Sequence, residues 1–146
     1  MVTDELLPAA IHLLGVFLLT AVIGWNREQE SHNTGIRAFP IVGISSCAYM
    51  MVMAGKGVDV ASQSRVLQGL VAGIGFIGGG AIVKEGATPH GTATAASVWC
   101  AGAVGAAVAL DRWAIALLLT AMNLIALRAL LPIKQRLAKS DKPCPD

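Results

Sequence analysis

Four charged side chains, Arg27, Glu28, Arg37 and Arg65, stand in or against an otherwise oil-like sequence, and theirs is the chemistry that needs explaining. A guanidinium close to hydrocarbon requires a carboxylate, a set of carbonyls or a lipid phosphate. Arg27 and Glu28 adjoin within the polar segment 25–34, and Arg37 follows just before Pro40, with Glu28 and Glu30 as the nearest carboxylates. This spacing predicts a polar cluster built on Arg27 and Arg37; ordinary flanking charge at a membrane surface is the alternative. A second set is uncharged: Gln68, Thr92, Thr94, Ser97 and Asn123. Such groups either hydrogen-bond between helices, at about 0.6–2 kcal/mol each, or line a solute path.

Chemistry of other kinds is not spelled out. There is no nucleophile-elbow spacing, no H-E-x-x-H and no phosphate loop. Cys47, Cys100 and Cys144 form no C-x-x-C or Cys/His pattern. The expectation is a protein that is not an enzyme, has no cofactor or metal and binds no nucleic acid. His12 is read as a hydrogen bond across helices or to the interface in preference to a proton or ion site.

The elements that position these groups follow from composition. Apolar residues make up 55% of the chain and charged residues 14%, which is a membrane composition. Apolar blocks at 6–23, 36–54, 66–83, 92–110 and 113–131 each approach the ~20 residues that cross ~30 Å of hydrocarbon as a helix. The expected fold class is an all-α membrane protein, a compact bundle of about five transmembrane helices in the lipid bilayer. Residues 1–133 form the transmembrane domain and 134–146 a short basic, disordered tail. With five crossings, Arg27, Arg37, Lys84, Lys134, Arg136, Lys139 and Lys142 share one side. The positive-inside rule makes that side cytoplasmic, with the N-terminus outside and the C-terminus inside. Asp4 and Glu5 suit an outside start and argue against a signal peptide.

Glycine is the other signal. Gly73-Ile-Gly-Phe-Ile-Gly78 matches G-x-G-x-x-G literally, but no strand precedes it, and Val98-Trp99 stand where an acidic residue belongs. The four-residue spacings Gly69/Gly73 and Gly75/Gly79 predict close helix contact instead. Gly91/Ala95 and Gly102/Ala106 repeat that spacing in the fourth block. The third and fourth helices are therefore expected to pack on each other, with surface left for a third helix or a second subunit. The run Gly78-Gly79-Gly80 offers a further option, a broken helix lining a polar site.

Three segments in this order resemble the MgtC/SapB family of bacterial inner-membrane proteins. Gly24-Trp-Asn-Arg27-Glu28 with Gly35-Ile-Arg37 is similar to the family's Gly-x-Glu-Arg and Gly-Leu-Arg-Thr. Arg65 followed by Gly73-Ile-Gly-Phe-Ile-Gly78-Gly-Gly80 is similar to Ser-Gly-Ile-Gly-Phe-Leu-Gly-Ala-Gly. Gly91-Thr92-Ala-Thr94-Ala-Ala with Trp99 is similar to Gly-Leu-(Thr/Asn)-Thr-Ala-Ala-(Thr/Ser)-Leu-Trp. Asn26, Ala38, the shifted Gln68 and Ala93 depart from the pattern, and the soluble C-terminal domain of longer members is not expected. The resemblance implies an inner-membrane regulatory or accessory protein linked to adaptation to low magnesium or to intracellular survival. It implies modulation of other membrane systems, such as the F-type ATP synthase, through helix contact. The alternative is a small ion or solute transporter or channel acting as a homo-oligomer, with a dimer favoured.

Overall fold

The structure, a computed structural model, describes residues 2–30, 36–55, 57–85 and 88–140. Five helices follow one another: α1 Val2–Glu30, α2 Ala38–Met53, α3 Val60–Gly80, α4 Thr92–Ala109 and α5 Trp113–Ser140. The expected all-α bundle is therefore present, with different ends. α1 begins a turn before the apolar block and continues about two turns past it, so Pro8 lies inside the helix. Arg27 and Glu28 are consequently helical residues and not parts of a loop. Arg27 falls in the last turn of α1, where a cation complements the helix dipole.

α5 likewise runs through Pro132 to Ser140. The basic stretch from Lys134 to that point is helical where a disordered tail was expected; residues 141–146 lie outside the described residues. A proline removes one backbone hydrogen bond and crowds the turn before it, which kinks a helix without having to end it. α3 is continuous from Val60 to Gly80 and then stops, so the Gly78–Gly80 run terminates the helix and does not break it. The turn after it holds a short antiparallel ribbon, β1 Val83–Glu85 paired with β2 Thr88–His90.

Among the described residues, three helices contain segments long and apolar enough to cross a bilayer: Glu5–Gln29, Thr92–Ala109 and Trp113–Pro132. α2 is apolar but its 16 residues rise only about 24 Å. α3 has 21 residues, about 31 Å, but its first turns carry Ser62, Gln63, Ser64, Arg65 and Gln68. Side chains on α1 and α5 face outward as expected for lipid contact: Leu14, Leu18, Leu118, Met122 and Ile125 are all more than half exposed. The absence of water around such surfaces is what makes their exposure tolerable.

α4 is the hub and packs against α1, α2, α3 and α5. Its composition explains this: apart from the half-exposed Trp99, its side chains are Ala, Gly, Ser, Thr, Val and Cys, none long enough to hold a neighbour away. The tightest approach is to α2. A methyl group built on Gly105 would meet the Gly43 carbonyl oxygen, and would lie 3.1 Å from the Cys47 amide nitrogen. On its other side Gly43 faces Thr20 and Val16 of α1. The small-residue contact thus joins α1, α2 and α4, and α2 fills the place left open for a third helix. Val16, Cys47, Val104, Val108 and Ala116 form the apolar core around it.

The α3–α4 contact is more local than the sequence spacing suggested. Only Gly78 lies against α4 backbone, with the Ala95 carbonyl oxygen 3.2 Å from a built methyl, while Gly75 just reaches Trp99 Nε1 at 4.0 Å. Gly69, Gly73, Gly79 and Gly80 face open space. Ile74, one turn before Gly78, supplies the packing, reaching over Gly102 between α2 and α4. A sharp difference in tolerance follows. Gly105→Leu should destabilise the detergent-solubilised protein by more than about 2 kcal/mol, because it forces backbone apart. Gly69→Ala should be neutral or stabilising by up to about 1 kcal/mol. Thermal unfolding followed by circular dichroism distinguishes the two, and equal effects would refute the packing described.

Candidate functional site

The last turn of α1 carries three consecutive polar residues into the protein: Asn26, Arg27 and Glu28. Asn26 is 4% exposed and Arg27 6% exposed. Arg27 crosses to α4, where Nη2 donates to Thr94 Oγ1 at 3.1 Å. Thr94 is itself buried, in the first turn of α4. That turn starts where it does because Gly91 adopts φ +85° at its N-cap, and a methyl there would strike the Ala81 carbonyl. Only glycine meets both conditions at low cost. Gly91 therefore sets the start of α4 and with it the height at which Thr94 meets Arg27.

Glu28 has a separate task. Its Oε2 accepts the amide of Ile36 at 3.1 Å, tying the end of α1 to the start of α2. Arg37 caps α2 from an exposed position, with no side-chain hydrogen bond to the helix end. Glu30, the other carboxylate considered, falls where the side chain lies outside the described residues. Asn26 Oδ1 is buried and has no hydrogen-bond partner among the described residues, a costly state for an amide oxygen. The sequence marked Asn26 only as a departure from a motif; its burial follows from the extra length of α1.

The four charged residues therefore do not form one cluster. Arg27 and Glu28 adjoin on α1, and Arg37 lies just after the backbone that Glu28 holds. Arg65 is elsewhere, exposed in the first half of α3. Thirteen residues separate it from Gly78, the point where α3 meets α4 near Thr94, which is about 20 Å along the helix.

Among the uncharged residues, Ser97 is buried and donates to the Ala93 carbonyl at 2.8 Å, with Asn123 Oδ1 of α5 at 3.3 Å. Thr120 on α5 is buried and returns its hydroxyl to Ala116. These groups sit inside helix contacts. Thr92 is exposed at the start of α4, Gln68 is exposed on α3, and Trp99 is 49% exposed beside Gly75.

At the other end of the bundle a contact joins α1 to the α4–α5 turn. His12 Nδ1 donates to the Pro8 carbonyl at 2.7 Å, and Nε2 lies 2.8 Å from Asp111 Oδ1. Both ring nitrogens face oxygen acceptors, an arrangement that an imidazolium fills. Asp111 holds a left-handed backbone, φ +58°, uncommon for a residue other than glycine. Trp113 flanks the imidazole at 5.5 Å. His12 accordingly bonds across helices. The pair was legible only through the topology, which places residues 12 and 111 at the same membrane surface.

The apolar helices, the outward aliphatic side chains and the buried guanidinium between helices define an α-helical membrane protein. The model of the MgtC family matches residues 13–136. The chain belongs to the MgtC family. It is 37% identical to Protein MgtC of Brucella abortus over 105 residues, covering 72% of this chain and 44% of that protein. It is 32% identical to Protein MgtC of Salmonella typhimurium over 119 residues, covering 82% of this chain and 51% of that one. Protein SrpB of Synechococcus elongatus is 33% identical over 134 residues, 83% of this chain and 74% of that protein. The chain thus spans about half the length of the MgtC proteins it matches. No solved structure matches it.

The Arg27–Thr94 contact makes a quantitative expectation. Hydrogen bonds to charged groups contribute roughly 1.5–3 kcal/mol, and the two residues sit 67 positions apart in sequence. Arg27→Ala and Thr94→Val should each destabilise by at least 1 kcal/mol in order of magnitude, and the double variant by clearly less than their sum. Additive losses in a double-mutant cycle would mean that the two side chains do not interact.

Proposed function

We propose that this chain is a multi-pass protein of the bacterial inner membrane that acts by contact with other membrane proteins, with its N-terminus outside and its C-terminus in the cytoplasm. The process it serves is adaptation to low magnesium or survival inside host cells. Family membership supports this reading, together with relatives that carry the MgtC name in Brucella and Salmonella. The F-type ATP synthase is the partner to test first, and a homodimer is the preferred assembly.

One observation favours contact over conduction. Most buried polar side chains are engaged within the protein: Arg27 with Thr94 and Ser97 with Asn123 across helices, and Thr120 with its own helix, while Asn26 Oδ1 stands apart without a partner among the described residues. Small residues close the space between α2 and α4 to backbone contact. Thr94, Ser97 and Asn123 act in this reading as interhelical glue. Gln68 faces away from them and completes no polar path with them.

Two measurements test the proposal. Purified protein in liposomes should pass no ion or small solute above the protein-free background; flux sensitive to Asn123→Leu would establish a transporter or channel instead. Photocrosslinkers on the exposed faces of α3 and α5 should capture foreign membrane subunits in cells. Capture of this chain alone would make it a scaffold or a self-assembled pore.

A further inference from the structure

The face of α3 that carries Gly69 and Gly73 does not pack on α4. It forms one wall of an open groove of about 640 Å³, with α2 as the other wall. Ile41, Ser45 and Tyr49 line the α2 side, and Gly69, Gly73 and Ile77 the α3 side. The lining from Ile41 to Tyr49 rises about 12 Å, and from Val66 to Ile77 about 16 Å. These lengths match one leaflet of a bilayer, about 15 Å of hydrocarbon.

The two ends of the groove differ. At one end α2 begins. Its N-cap is Arg37, its first turn contains no acidic residue, and no side chain caps it. Arg37 is exposed and stands one turn before Ile41, on the same helix face. The N-terminus of α2 and Arg37 thus lie at the end of α2 from which the apolar groove, lined from Ile41 onward, opens. That is the chemistry of an anionic headgroup with its chain attached. Glu28 lies nearby, but its carboxylate is engaged with the Ile36 amide, before the first turn. At the other end the N-terminus of α3 is already satisfied: Asp59 caps it, accepting from the Ser62 amide at 2.9 Å and from its hydroxyl at 2.7 Å. The hydroxyl and amide of Ser62 hold the Asp59 carboxyl below its ordinary range, so it stays an anion. Among the described residues, Arg65 near that end has no second anion-binding feature beside it.

A second copy of this chain fits the same groove less well. In a two-fold dimer about the membrane normal, residues at the contact meet their own copies. With α3 crossing α3 at Gly69 and Gly73, Arg65 would face Arg65 one turn away, like charge against like charge. Phe76, 85% exposed, lines the groove as well and meets whatever occupies it.

We propose that the α2–α3 groove is a binding site for an anionic phospholipid, with one acyl chain lying between Tyr49 and Gly73 and the phosphate at Arg37 and the N-terminus of α2. The occupant gives α3 the partner on this side that Gly69 and Gly73 otherwise lack.

The test uses the full chain purified in detergent and native mass spectrometry in an equimolar mixture of dioleoylphosphatidylglycerol and dioleoylphosphatidylcholine. Wild-type protein should retain the anionic lipid about fivefold over the zwitterionic one, the effect of one basic residue at a membrane surface. Arg37→Ala should bring that ratio close to one, and Arg65→Ala should leave it unchanged. Gly73→Leu, which enters open space and keeps a good helix former in α3, should lower retention of both lipids with circular dichroism unchanged. Millimolar inorganic phosphate should displace neither lipid. Equal retention of the two lipids by wild type overturns the proposal. So does an Arg37→Ala ratio equal to wild type, or displacement by free phosphate, which would describe a headgroup site without a chain. A Gly73→Leu variant that loses a dimer while retaining lipid would assign the groove to a second copy instead.

Discussion

Backbone contact between α2 and α4 is the constraint on which the rest of this bundle depends. Gly105 and Gly43 meet where no side chain can stand, and α1 closes over the same point through Thr20 and Val16. In a bilayer, water does not drive helices together, so attraction must come from many close atomic contacts. Removing side chains at the crossing is the direct way to obtain them. Once α4 lies against α2 at this distance, its other faces are committed to α1, α3 and α5, and a helix of only 18 residues organises the whole protein.

The buried guanidinium depends on that arrangement. Arg27 reaches Thr94 because α1 remains helical to its end and because Gly91 starts α4 at the right level. A charge in this position is expensive to bury alone and is destabilising if its partner is removed. It gives the contact between α1 and α4 a direction and register that alanine and glycine surfaces, which slide easily, do not specify. Glu28 extends the same logic to the start of α2 by holding the Ile36 amide. At the opposite surface His12 and Asp111 join α1 to the turn before α5. α1 is therefore pinned at both ends by polar contacts and packed in the middle by apolar ones.

α3 is the exception. It is held by Ile74, Gly78 and a few neighbours, and it presents Gly69, Gly73, Gly79 and Gly80 outward. A helix retained with an uncovered glycine face is a surface built for something that approaches closely.

Much of this was legible in the residues alone. Five apolar blocks gave five helices, because each is long and nearly free of charge, and hydrocarbon permits no other backbone arrangement for such blocks. The segments from Gly24 to Gly105 carried the family resemblance, and Thr94, Ser97 and Asn123 were picked out as polar groups within helices. Helix ends were less legible: the polar residues 25–30 read as a loop by composition, while they are helical, with Asn26 buried and Arg27 bonded to Thr94 of α4. Glycine spacing marked α4 as a closely packed helix, but it implied the same for the Gly69/Gly73 face of α3, which is open. In the sequence Gly73 and Gly105 look alike, each a glycine within an apolar block, and a glycine carries no side chain to say which neighbour it faces. Only the three-dimensional path of α2, returning between α1 and α4, decided that Gly105 is covered by backbone and Gly73 is left open.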